Sequence, residues 1–255
     1  MGRSDPAHRL RIAASEGNLY LVRKLYEERG INIDSQDMAG KTALMYATEN
    51  GQKEVVEYLL DKGHEEKEIS KDFEGNTVLI VATEKRAEEI FTTYVKRYPE
   101  TVLMANKAGV FPLIIAAKEG YNNLVNIILD YGGDINQTDH QGCTALHHAA
   151  AWGHLKTATL LLERGCRHNH QNFAGWTAVD YAYNIPIKLH LEEYAKKPFE
   201  SSKRFAVAIP TLSGLDLASH SMSSESKTIP SSPRSQVIPI SSYRNRSHSA
   251  SDKLT

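Results

Sequence analysis

Apolar residues at Val55, Val56, Leu59 and Leu60 share one side of a helical period, and this spacing predicts a helix over 52–62 that stops at Gly63. A shorter, small-sided segment runs ahead of it through Leu44 and Ala47, opened by Thr42 and ended by Gly51. Asp37-Met38-Ala39-Gly40 reads as a turn, because Asp bonds its own backbone and Gly tolerates positive φ. The pattern returns with Leu124, Val125, Ile128 and Leu129 before Gly132 and Gly133, and with Leu155, Leu161 and Leu162 before Gly165. No such pair of helices buries its apolar face alone, so the pairs must stack.

The turn glycines lie on a lattice. Gly40, Gly75, Gly109, Gly142 and Gly175 are separated by 35, 34, 33 and 33 residues. A second series, Gly17, Gly51, Gly120 and Gly153, keeps the same phase, with Arg86 at the one point lacking glycine. The run Gly142-Cys-Thr-Ala-Leu-His147-His-Ala-Ala-Ala-Trp-Gly153-His154 carries the fullest version of the pattern. Period and pattern resemble ankyrin repeats, in which a β-turn introduces a helix-turn-helix unit. The implied fold is an all-α ankyrin-repeat solenoid with β-turn fingers and about six repeats, near 5–36, 37–71, 72–105, 106–138, 139–171 and 172–197. In that family a histidine at the position of His147 braces the turn; Met45, Ile80, Ile114 and Asp180 stand there in the other repeats, which implies a single brace.

Both ends depart from the pattern, as solenoid ends do. The first repeat keeps Leu10, Ala13, Ala14 and Gly17 without a preceding glycine turn. The sixth begins at Asn172-Phe-Ala-Gly175 and then runs into Ile185-Pro186, so Ile187, Leu191 and Tyr194 are expected to cover the open end. The repeat domain is therefore placed at 1–197. From 198 to 255 the chain holds 16 serines and few aromatics, a composition that buries too little surface to order itself. A disordered tail is expected. Within it, Arg244-Asn-Arg246-Ser-His-Ser249 has the spacing favoured by basophilic kinases, and Ser232-Pro233 is a proline-directed site, so Ser249 and Ser232 are the expected phosphorylation positions.

Composition narrows the function classes. A net charge of −1 over 255 residues gives no basic excess for nucleic acid. Two cysteines, Cys143 and Cys166, fit a reducing compartment and form no CxxC pair. No run of 18 apolar residues is present and Pro6 replaces the Ser or Thr of a myristoylation motif at Gly2. A cytoplasmic chain with no direct membrane insertion is expected, with the nucleus as the alternative.

Candidate chemistry is sparse. His168 and His170 alternate as zinc ligands do, yet the family's solvated inter-repeat loop falls there, so no metal site is expected. Neither cysteine has a base arranged beside it, and no glycine loop or carboxylate pair suggests catalysis. Neither a cofactor nor an enzymatic activity is expected. What remains is a binding surface: the turn tips and exposed first helices of ankyrin stacks form a groove, where Phe73, Lys107, His140, Trp152, Phe173 and Trp176 map as candidate partner-binding residues. The competing structural reading packs Phe73 and Phe173 on adjacent turns and lays Trp152 over its own helix.

A narrower resemblance rests on Tyr58-Leu-Leu-Asp-Lys-Gly-His64, Lys67-Glu-Ile-Ser-Lys-Asp-Phe-Glu-Gly75-Asn-Thr and the Tyr98-Pro99 that closes the third repeat. With the lengthened second repeat, degenerate last repeat and serine-rich tail, they make residues 10–185 resemble the ankyrin-repeat subunits of fungal TOR complex 2. That resemblance implies a non-enzymatic adaptor in a kinase complex at the plasma membrane, with TOR complex subunits as partners. The alternative is an ankyrin cofactor or inhibitor that docks on a transcription factor or a phosphatase.

Overall fold

Each Asp or Asn that opens a predicted turn holds that turn with its own side-chain oxygen. In the computed structural model, which describes residues 5–196, Asp37 Oδ1 accepts from the N–H of Ala39 and Lys41 at 2.8 and 2.9 Å. The same Asx geometry recurs at Asp72, Asn106, Asp139 and Asn172. Five fingers result, at 37–41, 72–76, 106–110, 139–143 and 172–176. All five turn glycines have positive φ, from 73° to 83°.

Behind each finger except the last comes a helix pair. The described chain holds α1 (Pro6–Ser15), α2 (Leu19–Arg23), α3 (Ala43–Glu49), α4 (Lys53–Asp61), α5 (Val78–Glu84) and α6 (Glu88–Arg97). It continues with α7 (Pro112–Glu119), α8 (Asn122–Asp130), α9 (Ala145–Trp152), α10 (Leu155–Glu163) and α11 (Ile185–Lys196). First helices α1, α3, α5, α7 and α9 pack in one row, and second helices α2, α4, α6, α8 and α10 in another. Thr42 and Thr77 cap α3 and α5 by accepting from the N–H three residues on, at 3.3 and 3.4 Å. Where Phe111 replaces threonine, Pro112 opens α7 instead, with φ preset for a helix.

The core is one contiguous cluster from Leu10 to Leu191, filled between the rows by Leu44, Leu59, Leu79, Phe91, Tyr94, Leu113, Leu124 and Leu161. Each helix pair supplies one layer and borrows the next from its neighbour. The ends differ from the middle as expected. Helix α2 widens into a π-helical turn at Lys24–Glu28, while in mid-stack a tighter 3-10 turn at Pro99–Leu103 follows α6. The sixth repeat has only turns at 177–181 where its first helix belongs, and α11 closes the stack with Ile187 and Leu191 buried. Tyr194 donates its hydroxyl to Leu162 C=O at 2.8 Å, tying the cap to α10.

Arg86 takes the conformation the lattice demands, with φ 53°, next to the positive φ of Gly17, Gly51, Gly120 and Gly153. Its guanidinium lies 5.2 Å from the Tyr121 ring centroid. Gly2, Ser232, Ser249 and the expected disordered segment 198–255 lie outside the described residues, as does residue 197 of the expected repeat domain.

Candidate functional site

The fingers are joined edge to edge by backbone. Phe73 N–H donates to Ala39 C=O at 2.9 Å, Lys107 to Glu74 at 2.8 Å and Phe173 to Gln141 at 3.1 Å. Side chains follow the same path. A Cβ on Gly40 would lie 2.6 Å from the Phe73 ring, one on Gly109 2.4 Å from the His140 ring, and one on Gly142 3.0 Å from the Phe173 ring. These three turns therefore need glycine both for their φ and for the residue that the next finger lays against them, whereas Gly175 answers to φ alone. Phe73, His140 and Phe173 pack on adjacent turns and keep an exposed outer face; Phe173 remains 81% exposed and Phe73 59%.

Trp152 is half exposed and carries a cation from the neighbouring repeat. It sits at the C-terminal end of α9, 53% exposed, with the Lys118 ammonium of α7 5.1 Å from its ring centroid. Such a cation held over an exposed indole contributes about 0.5–1 kcal/mol. Trp176 is 46% exposed and meets Tyr181 edge-on at 5.8 Å. Phe73, Lys107, His140, Phe173 and Trp176 thus lie in the fingers and Trp152 on first helix α9. A hollow of about 250 Å³ near Ile12, Glu16 and Tyr46 marks one end, and one of about 520 Å³ beside Trp176, Val179 and Lys188 the other.

Electrostatics divide the finger face. Glu84, at the end of α5, has its carboxyl pushed up by burial and by Asp72, Glu74 and Glu49, against the opposing effect of Lys85. Glu49 is bonded to Lys41 across the second repeat. Carboxylates thus cluster around α5, and α7 and α9 carry the lysine and indole.

His147 is a brace, as its place in the pattern implies. Its Nδ1 lies 3.2 Å from Thr144 N and its Nε2 3.1 Å from Trp176 C=O, so one buried imidazole links two repeats. Burial holds it below the ordinary histidine range, opposed by the bond to Trp176. The histidine brace occurs once, as expected, and a carboxylate supplies its local half in the sixth repeat. Asp180 accepts from both the N–H and the hydroxyl of Thr177 at 2.8 Å, so a carboxylate oxygen serves where the imidazole serves elsewhere. Burial would raise the Asp139 carboxyl, but bonds from His148 and from the Cys143 and Gln141 N–H groups hold it below its usual range.

His168 and His170 diverge: His170 Nε2 lies 3.2 Å from Gly142 C=O, while the His168 ring meets Tyr194 edge-on. Among the described residues no group of three or more His, Cys, Asp or Glu side chains is placed to hold a metal. Burial pushes the Cys166 thiol up to about 12 and raises Cys143 as well, which keeps both out of the reactive thiolate form. Sequence reasoning missed one buried cluster, His64 and Glu65; its only signal is the two extra residues between Gly63 and Gly75 compared with Gly132 to Gly142.

A family model described as ankyrin repeats, three copies, matches residues 10–103 and 100–172. The chain belongs to the ankyrin-repeat family. Such repeats are protein-interaction modules, and the finger face is where their tips lie. Target of rapamycin complex 2 subunit AVO2 of Saccharomyces cerevisiae is 29% identical over 189 residues, covering 72% of this chain and 44% of that protein. Protein phosphatase 1 regulatory subunit 12A of Mus musculus is 36% identical over 91 residues, 36% of this chain and 9% of that protein. This chain spans less than half the length of these curated relatives. Among solved structures, a chain of the Bdellovibrio bacteriovorus complex of predatory endopeptidase Bd0816 with immunity protein Bd3460 superposes with TM-score 0.66 at 27% identity, covering 76% of this chain and all of that one. An ankyrin repeat domain from Acinetobacter baumannii gives 0.65 at 23% identity, covering 74% and 98%.

Proposed function

We propose that the chain is a non-catalytic adaptor that holds a protein segment across its finger face, as an accessory subunit of TOR complex 2. The observation that supports this is the extent of the AVO2 similarity, which runs over 189 residues and thus through most of the repeats. Exposed aromatics at Trp152, Phe173 and Trp176 supply anchors of the kind that dominate interface energies. No described helix is long and apolar enough to cross a membrane, so in this reading the chain reaches the plasma membrane through its complex. Ser249 and Ser232 are its phosphate acceptors, where added charge would create an arginine-binding epitope. The likeness to a phosphatase regulatory subunit, 36% over 91 residues, favours a second reading in which the same face docks on a phosphatase.

Purification of the tagged chain without crosslinking tests the assignment. Recovery of TOR kinase and its core subunits is expected; recovery of a phosphatase catalytic subunit or chromatin-bound factors in their place overturns it. Trp152→Ala combined with Trp176→Ala is expected to cut recovery at least about tenfold, matching the loss of roughly 1–2 kcal/mol from two anchors. Thermal stability should fall by no more than about 6 °C, because both indoles are substantially exposed and lose only the Lys118 and Tyr181 contacts. Undiminished recovery moves the binding surface off this face.

A further inference from the structure

We propose that His64 and Glu65 form a proton-operated latch on the 64–71 loop, which fixes the approach to the second finger at acidic pH and releases it as pH rises. This lies beyond the adaptor reading and does not depend on it. Twelve residues separate Gly63 from Gly75, against ten between Gly165 and Gly175. His64 takes the slot behind the glycine that Cys166 takes in the fifth repeat, and it is 0% exposed. Glu65 has φ 78°, a left-handed turn that directs a fully buried carboxylate inward.

Glu65 accepts from Ser70 N–H at 2.7 Å, from the Ser70 hydroxyl, and from Tyr94 OH at 3.3 Å. All three donors are neutral. Burial first, and then Glu65 itself, push the Tyr94 hydroxyl above its ordinary range, so it stays protonated. A buried carboxylate without a counter-charge is costly. His64 Nδ1 lies 3.3 Å from Glu65 Oε1 and 3.8 Å from Asp34 Oδ1, and neither ring nitrogen has a hydrogen-bond partner. The imidazole is therefore the group in place to supply the missing positive charge, with two carboxylates to receive it.

The other ionisable groups around the pair are accounted for. Lys67, Glu68 and Lys71 line a cavity of about 450 Å³ on the solvent side, with Asp34, Gln36 and Ile69. Neither lysine is ion-paired with Glu65 among the described contacts. From beyond α6, Tyr98 OH donates to His64 C=O at 3.2 Å; Glu66 and Glu100 add negative charge near that hydroxyl and Arg97 opposes them, its guanidinium already paired with Asp61. Protonation gives Glu65 an ionic partner inside its own loop; deprotonation leaves the carboxylate with neutral donors only. Release reaches the finger face because Lys71 C=O accepts from Gln36 Nε2 at 3.1 Å and Asp72 and Phe73 follow directly.

Hydrogen exchange of the full chain, corrected for intrinsic rates, tests the latch between about pH 5.5 and about pH 8, where imidazoles titrate. Amides of residues 66–74 should exchange at least about tenfold faster at the upper pH. His64→Gln and Glu65→Gln should each abolish that difference, while amides of α9 and α10 report that the stack still folds. Protection of 66–74 independent of pH in the wild type overturns the proposal, as does a pH dependence that survives in His64→Gln. Should either variant unfold, wild-type NMR decides: the His64 ring and Ser70 amide signals must move with one common midpoint, and separate midpoints overturn the latch.

Discussion

Gly142→Ala and Gly175→Ala separate two demands that the fingers make on glycine. Both residues sit at the same finger position with nearly the same φ, 77° and 81°. Either alanine therefore carries the left-handed penalty of about 1–2 kcal/mol. Their surroundings differ. A Cβ on Gly142 would stand 2.9 Å from Phe173 N and 3.0 Å from its ring, whereas one on Gly175 meets nothing within 4 Å. Relieving that clash means moving the fourth and fifth fingers apart, which strains or breaks the Phe173 N–H to Gln141 C=O bond. A lost hydrogen bond adds about 1 kcal/mol and the overpacking at least about 1 more. Gly175→Ala should then lose about 1.5 kcal/mol and Gly142→Ala about 3.5. At roughly 2–4 °C per kcal/mol for a domain of this size, the two melting temperatures should differ by about 4–8 °C. Thermal unfolding followed by circular dichroism reads this directly. Equal losses in the two variants would refute the claim that finger tips press on the preceding glycine.

Arg86 offers a related comparison without the clash. Arg86→Gly and Arg86→Ala both remove the guanidinium from Tyr121, but only glycine is at ease at φ 53°, so the glycine variant should be more stable by about 1 kcal/mol in urea unfolding; equal midpoints would contradict the assigned strain. Acidification should loosen the junction of the fifth and sixth repeats. Burial favours neutral His147 in the folded state, and a folded value below the unfolded one means stability that is lost as pH falls. Asp139, also held below its usual range, acts in the same direction, losing its contribution as pH falls through the carboxylate range. Exchange at Thr144 and Trp176 amides should thus accelerate below about pH 6, opposite in sense to the 66–74 segment; slower exchange there on acidification would reverse the argument.

Much of this architecture is legible in the sequence because each repeat states its own turn, its own cap and its own helix spacing. Glycines 33 to 35 residues apart locate the fingers, and the left-handed backbone at Arg86 follows from its place on the second lattice. Three features escape such reading. Asp180 replaces the local half of a histidine brace with a carboxylate, which a residue-type pattern cannot equate although both accept from the threonine three residues before. Trp152 pairs with Lys118 one repeat away, a contact set by stacking that no local spacing encodes. The burial of His64 and Glu65 depends on how two extra residues fold, and a polar pair in a lengthened loop reads as solvated until Tyr94 and Ser70 are seen around it.

Viewed as an elastic element, the row of fingers is a ladder with unequal rungs. Three of its four junctions have a backbone bond between tips. Between the third and fourth fingers, among the described residues, the His140 ring lying over Gly109 takes its place. Side-chain contact yields to shear more readily than a directional N–H to C=O bond. When the face closes on a bound segment or is pulled along its length, curvature should therefore change first at His140, and the repeats on either side should move as two stiff blocks.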